Sequence, residues 1–331
     1  MTGGIAMLWR LCCFWLVAGA LCLPAVGSAQ DSNIAKFSHV HIGGALSYPP
    51  YTFTHQVWYR DIVYDKSAKD TQYTSLDVYV ADPVEPKSPV MVWVHGGGLV
   101  MGDKASSKDL ASKPEYFTSK LGFILVSINY RLLPEGLYPT NVQDVADALA
   151  WVQNNIAGFS GDPQQIFLMG HSSGAELVAQ VATDATFLHK AGKDLSLVKG
   201  VIAIEGSYGV RGSDGDTKRL QANFGPQWQK ALAVGNVKPG NGIPPFLLLH
   251  VKGGSPTVAD SESQALGFAK ALSGAGVRAD VVSLDHVEHF GANERLGVPG
   301  DITTIALEQF LASVPGKKRE PHWTAGSFPK L

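Results

Sequence analysis

Gly170-His171-Ser172-Ser173-Gly174 lies between a short apolar run, Gln165 to Met169, and an apolar-periodic helix that starts near Ala175. Strand, sharp turn and helix are the context in which G-x-S-x-G carries meaning. The turn lifts a serine hydroxyl out of the backbone at the C-terminal edge of a sheet. Small residues flank it because the turn is strained and a Cβ there would clash. A second motif, His95-Gly96-Gly97-Gly98, follows another apolar run, Val90 to Val94. The two motifs in this order, each ending an expected strand, are much harder to obtain by chance than either alone.

Working outward, strands and helices alternate from Pro89 onward. The expected strands are Val90–Val94, Phe123–Asn129, Gln165–Met169, Val198–Ile204, Phe246–Val251 and Ala279–Leu284. Their continuous Val/Ile/Leu/Phe character fits a parallel sheet buried on both faces. Val142, Val145, Ala146, Leu149 and Val152 form one apolar helical stripe. A helix from Asp301, a good N-cap, to Val314 closes the domain. Val57–Tyr64 and Leu76–Ala81 alternate like an antiparallel hairpin. Repeated strand–helix units predict a doubly wound, mostly parallel α/β sheet with helices on both faces. Residues 206–244, polar and Gly-rich with Phe224 and Trp228, read as a small lid-like insertion over the C-terminal edge of the sheet.

The chain has 331 residues. Arg10 precedes an apolar run from Leu11 to Val26 that is followed by Gly27-Ser28-Ala29, the pattern of a signal peptide cleaved after Ala29. The run is short for a membrane span. All three cysteines, Cys12, Cys13 and Cys22, fall inside it, so the mature chain has no thiol. A cysteine-free exported chain suits a bacterial periplasm or the extracellular medium. Residues 30–56 read as an extended arm, 57–316 as the α/β domain and 317–331 as a tail. That length supports one large core. With 17% charged residues and a net charge of −2, no basic stripe marks a nucleic-acid partner. After cleavage nothing marks a membrane partner either. Oligomeric state is not readable from these patterns.

Ser172 is a weak nucleophile until a base takes its proton. The base is expected late in the chain, and His289, in His286-Val287-Glu288-His289-Phe290-Gly291, follows the strand Ala279–Leu284. His286 competes for the role. Gly97, Gly98 and Ser173 can offer backbone N–H groups to a developing oxyanion, aided by the positive end of the helix. His95 is expected to brace the glycine loop. The acid that orients the histidine is expected in the loop after Phe246–Val251, where Asp260 is the first carboxylate; Asp285 and Glu205 are the second and third candidates. Asp260 fits an ordinary helix N-cap nearly as well. Asp144 is expected to hold structure, Gly102-Asp103-Lys104 to anchor a loop, and Trp93 and Trp151 to fill the core. His39-x-His41 and His286-x-x-His289 have metal-like spacing but lack a third ligand cluster, so no metal and no cofactor are expected.

The combination of Leu76-Asp77-Val78-Tyr79, His95-Gly96-Gly97-Gly98, Gly102-Asp103-Lys104, Asn129-Tyr130-Arg131-Leu132, Pro134, Asp144, Gly161-Asp162-Pro163, Gly170 to Gly174 and the stretch Asn293 to Gly300 resembles the α/β-hydrolase carboxylesterases akin to hormone-sensitive lipase and arylformamidase (kynurenine formamidase). The resemblance spans roughly residues 57–313. It implies the α/β-hydrolase fold, a Ser–Asp–His triad and hydrolysis of a small-molecule carboxylic ester, short-chain or aryl, through an acyl-enzyme. An amidase, arylformamidase, peptidase or lactonase on the same triad is the alternative, and a catalytically weakened binding protein is another. Two departures stand out. Leu99 and Val100 occupy positions where the family carries an aromatic residue, and no Asp lies near Thr257, where the family places its acid.

Overall fold

A computed structural model describes residues 39–42, 55–209, 218, 221–222, 224–254, 258 and 260–314. The expected signal segment, most of the arm and the tail lie outside the described residues, as does part of the insertion at 206–244.

Among the described residues, nine strands form one sheet. They are β1 (His39–Ile42), β2 (His55–Val63), β3 (Ser75–Asp82), β4 (Ser88–Val94), β5 (Ile124–Ile128), β6 (Gly161–His171), β7 (Val198–Ile204), β8 (Phe246–Val251) and β9 (Ala279–Leu284). Their spatial order is β1-β2-β3-β5-β4-β6-β7-β8-β9. The first three strands and the β3–β5 pair are antiparallel, and β5 through β9 run parallel. Six helices matter below: α1 (Thr140–Asn155), α2 (Ser173–Thr183), α3 (Ala185–Lys190), α4 (Ser261–Gly274), α5 (His289–Glu294) and α6 (Ile302–Ser313).

The apolar runs become strands because both faces of the sheet are covered. Alternate residues of β4 and β5 split between two cores. Val90, Val92, Val94, Ile124, Val126 and Ile128 pack with Val142, Val145 and Leu149 of α1 and Val178 of α2. Met91, Trp93 and Leu125 pack on the other face with Leu307 and Phe310 of α6. Each fully buried side chain of this kind contributes about 1.5–3 kcal/mol relative to exposure. Asp301 caps α6 by accepting the Thr303 N–H. β6 begins at Gly161, earlier than its apolar signature, and its pairing with β4 is irregular between Ser88 and Val90. The expected arm supplies β1, which pairs antiparallel with β2.

The strand order places the site. From β4 the chain moves outward to β5, then returns past β4 to β6 on its other side. β4 and β6 are therefore neighbours at a topological switch point, where open α/β sheets bind ligands at the carboxyl ends of their strands. Val94 pairs with Gly170, so the glycine loop and the serine turn leave the sheet side by side.

Candidate active site

Ser172 stands between the end of β6 and the start of α2 with φ 55° and ψ −123°, a strained conformation for a residue with a side chain. Its glycines are sterically required. A Cβ on Gly170 would lie 2.4 Å from the Gly174 carbonyl oxygen, and one on Gly174 would lie 2.2 Å from that of Val94. Ser172 is half-buried, and its N–H donates to the Ile204 carbonyl at 2.9 Å, tying the turn to β7. Ser173 opens α2, so its N–H has no acceptor inside the helix.

The glycine loop rides on this turn. A Cβ on Gly96 would come within 3.0 Å of the His171 carbonyl oxygen and 3.1 Å of the Ser172 Cβ. Gly97 and Gly98 adopt φ of 117° and 63°. His95 is buried and held neutral by desolvation. Its Nδ1–H donates to the Gly96 carbonyl at 2.7 Å, and its ring stacks on Tyr130. Behind the loop, Lys104 pairs with Asp61 at 2.6 Å and with Asp77 at 3.0 Å, and Asn129 bonds both the Lys104 N–H and Asp103. Asp144 is committed to Arg131.

His289 begins α5 and is 3% exposed. Its Nδ1–H donates to Glu205 Oε2 at 3.1 Å. Glu205 directly follows β7 at φ 55°, and its other oxygen accepts the Val251 N–H at 2.5 Å. Burial works to raise the Glu205 carboxyl, but the hydrogen bonds from His289 and Val251 outweigh it and hold the group below its ordinary value. The competitor His286 is exposed.

The carboxylate that meets His289 is thus Glu205, the third of the three candidates, where Asp260 was expected first. Asp260 stands ahead of α4, where its backbone carbonyl accepts the Gln264 N–H at 2.8 Å. Asp285 is exposed and pairs with Lys252 at 3.3 Å. The physical reason is sheet geometry. β7 lies between β6 and β8, so its C-terminal end opens onto the same edge, and a glutamate there reaches a histidine that an aspartate after β8 would otherwise hold.

Two residues escaped the sequence reading. His171, the variable position of G-x-S-x-G, is buried, and its Nε2–H donates to the His289 backbone carbonyl at 2.9 Å. Lys113 is fully buried in a polar-looking Lys-Pro-Glu turn. Its ammonium donates to the carbonyls of Asp109 at 2.9 Å and Asn293 at 3.1 Å and lies 4.6 Å from the centre of the Trp93 ring. Burial lowers its pKa to about 7. Among the described residues, no three His, Cys, Asp or Glu side chains group so as to hold a metal ion.

Comparison with known proteins agrees with this architecture. Residues 76–211 match the BD-FAE family. That stretch contains the glycine loop, the serine turn and Glu205. The chain is 28% identical over 253 residues to the isoprenylcysteine alpha-carbonyl methylesterase of Arabidopsis thaliana, covering 70% of this chain and 56% of that protein. It is 37% identical over 113 residues to esterase LipQ of Mycobacterium tuberculosis, covering 33% and 26%. The chain spans between 37% and 56% of the length of the plant methylesterases it matches. Among solved structures, esterase B of Lactobacillus rhamnosis superposes with a TM-score of 0.64 at 18% identity, covering 86% of this chain and 91% of that one. A truncated carbohydrate esterase from gut microbiota gives 0.61 at 20% identity, covering 80% and 98%. The fold is that of the α/β-hydrolases, and the relatives are carboxylesterases.

Proposed function

We propose that the protein is a serine carboxylesterase acting on short-chain or aryl carboxylic esters, with Ser172, His289 and Glu205 as its triad. The observation that carries this reading is the His289–Glu205 bond at 3.1 Å beside a strained serine turn. Because Glu205 takes the Nδ1–H, the Nε2 lone pair is left to accept the Ser172 proton. The serine oxygen then bonds to the ester carbonyl carbon, and the carbonyl oxygen becomes an oxyanion facing the N–H groups of Gly97, Gly98 and Ser173. The tetrahedral adduct collapses, the C–O bond to the leaving group breaks, and the imidazolium protonates the departing alkoxide. Water, deprotonated by His289, attacks the acyl-serine and releases the carboxylic acid. No step calls for a cofactor.

Ester rather than charged substrate is supported by the exposed apolar side chains Val100 and Met101, next along the chain from the glycine loop, and Phe290, beside the base. The Glu205 contact also supports an active enzyme over a weakened binding protein, since the missing aspartate has a substitute. Export, with cleavage after Ala29 into a periplasm or the medium, is part of the same proposal and rests on the Leu11–Val26 run.

The test is hydrolysis of p-nitrophenyl acetate by wild type and Ser172→Ala. The variant should keep its circular dichroism and lose at least about 10³ in kcat, with fluorophosphonate labelling abolished. Substantial turnover by pure Ser172→Ala protein would sink the assignment.

A further inference from the structure

His171 touches both halves of the site. It ends β6 and is 1% exposed. On one side, Nε2–H donates to the backbone carbonyl of His289 at 2.9 Å, and the two imidazoles lie 4.6 Å apart between centroids. On the other side, Nδ1 faces Gly96, where an added Cβ would come within 3.3 Å of it. The ring therefore sits between the residue that carries the base and the loop expected to carry oxyanion donors.

The base needs such a tie. α5 has six residues, fewer than two turns, and so short a helix has little stability of its own. External bonds fix it instead. Lys113 holds the Asn293 carbonyl, Asn293 Nδ2 donates to the Asp109 carbonyl at 3.1 Å, and Ser112 Oγ donates to that of Leu296 at 2.8 Å. All three act at its C-terminal end or beyond. At the N-terminal end, Glu288 makes no side-chain cap, and His171 supplies a bond to the catalytic residue's own backbone.

We propose that His171 is a positioning residue that sets the reach of the His289 imidazole toward Ser172 by holding its backbone, and that it does so only as the neutral Nε2–H tautomer. This rests on the triad reading above. A carbonyl can only accept, so the proton must sit on Nε2. Neutrality is required because His289 becomes cationic in the transition state, and a second cation against it would oppose that charge. Burial, then the charge of His289, then that of Lys113 keep His171 neutral, lowering its pKa to about 3. The ionisable groups around it are His289, Lys113 and, through His289, Glu205. Together they leave neutral His171 as the stable form across the working range.

The experiment compares wild type, His171→Gln, His171→Phe and Ser172→Ala, using p-nitrophenyl acetate kinetics and ring ¹⁵N NMR. Gln retains an N–H that can reach the carbonyl, whereas Phe keeps ring volume without a donor. A misplacement near 1 Å can cost on the order of 10² in rate, so His171→Phe should lose roughly 10–100-fold in kcat with KM within about threefold. His171→Gln should recover to within about fivefold of wild type by the same logic. In wild type, the ¹⁵N resonances assigned to His171 by their loss in His171→Gln should show the Nε2–H tautomer and no titration from pH 5 to 9. Equal kinetics for Gln and Phe, a loss confined to KM, an Nδ1–H tautomer or a titrating His171 would each overturn the proposal. If His171→Phe fails to fold, the NMR result and His171→Gln still decide. If the triad reading itself is wrong, Ser172→Ala will match wild type while the tautomer result stands apart.

Discussion

Replacing Glu205 by Gln keeps the shape of the side chain and removes its charge. One carboxylate oxygen meets His289 Nδ1 at 3.1 Å and the other accepts the Val251 N–H at 2.5 Å. A backbone N–H can only donate, so the new amide must turn its carbonyl to Val251 and its NH₂ to the imidazole. That amide donates to Nδ1 and drives the ring proton to Nε2, the position that has to receive the serine proton. Lost charge adds to the wrong tautomer. A unit charge pair at this separation is worth about 5 kcal/mol at an effective dielectric of about 20. At about 1.4 kcal/mol per decade, that corresponds to roughly 10³–10⁴ in rate. The equivalent substitution in the trypsin-type triad costs about 10⁴, a figure belonging to that template. We therefore expect kcat on p-nitrophenyl acetate to fall by about 10³–10⁴ for Glu205→Gln and by less than about threefold for Asp260→Asn or Asp285→Asn. Stopped-flow and steady-state rates at pH 8 on folded protein check this. Glu205→Gln within tenfold of wild type, or a crippled Asp260→Asn, would refute the reasoning.

Gly97→Ala should harm kcat more than Gly98→Ala, because its Cβ would lie 2.1 Å from the Met101 carbonyl oxygen, whereas that of Gly98 meets only Val100 Cγ2 at 4.0 Å. Loss of one oxyanion donor costs about 10²–10³, so parallel rate constants for the two variants would argue against the loop geometry. Lys113 predicts a pH signature in stability. Its folded pKa, about 7, lies below the ordinary lysine value of 10.5. Between those values the unfolded chain binds the extra proton, so stability rises with pH across that window and the penalty is greatest below it. Unfolding free energies from urea curves between pH 7 and 10 should therefore rise for wild type relative to Lys113→Met, by an amount on the order of a few kcal/mol, and parallel curves would count against it. Protein recovered from the periplasm or medium should begin at Gln30 and carry no thiol by intact mass; retention of Met1 to Ala29 there would disprove cleavage.

The fold was legible wherever local chemistry and tertiary burial agree. β7, β8 and β9 span the same residues as the apolar runs that announced them; β7 and β8 are parallel strands covered on both faces, and β9 is the half-buried edge beside them. The serine turn and the glycine loop were legible because close backbone approach demands glycine at Gly170 and Gly174, and positive φ favours it at Gly97 and Gly98. The partner of His289 was not, since it depends on which strand end lies beside α5, a property of strand order that no local pattern records. Glu205 had only one sequence signal, a carboxylate directly after an apolar strand and before Gly206. Lys113 and His171 were hidden for another reason. Lys-Pro-Glu looks like a solvated turn, and the position before the serine in G-x-S-x-G accepts many residues; each is bonded to a helix some 120 to 180 positions away.

Moving the acid onto β7 separates two duties that the turn after β8 would otherwise share. With Glu205 as the proposed acid, the described residues of that turn hold backbone bonds, from the Gly253 N–H to Glu262 and from the Gly254 N–H to the Val251 carbonyl. Loop entropy grows slowly with length. For the engineer, the exposed residues Lys252 and Gly253 are thus the place to attach an affinity handle, with the Val251 and Ser261 contacts to Glu205 left intact on either side.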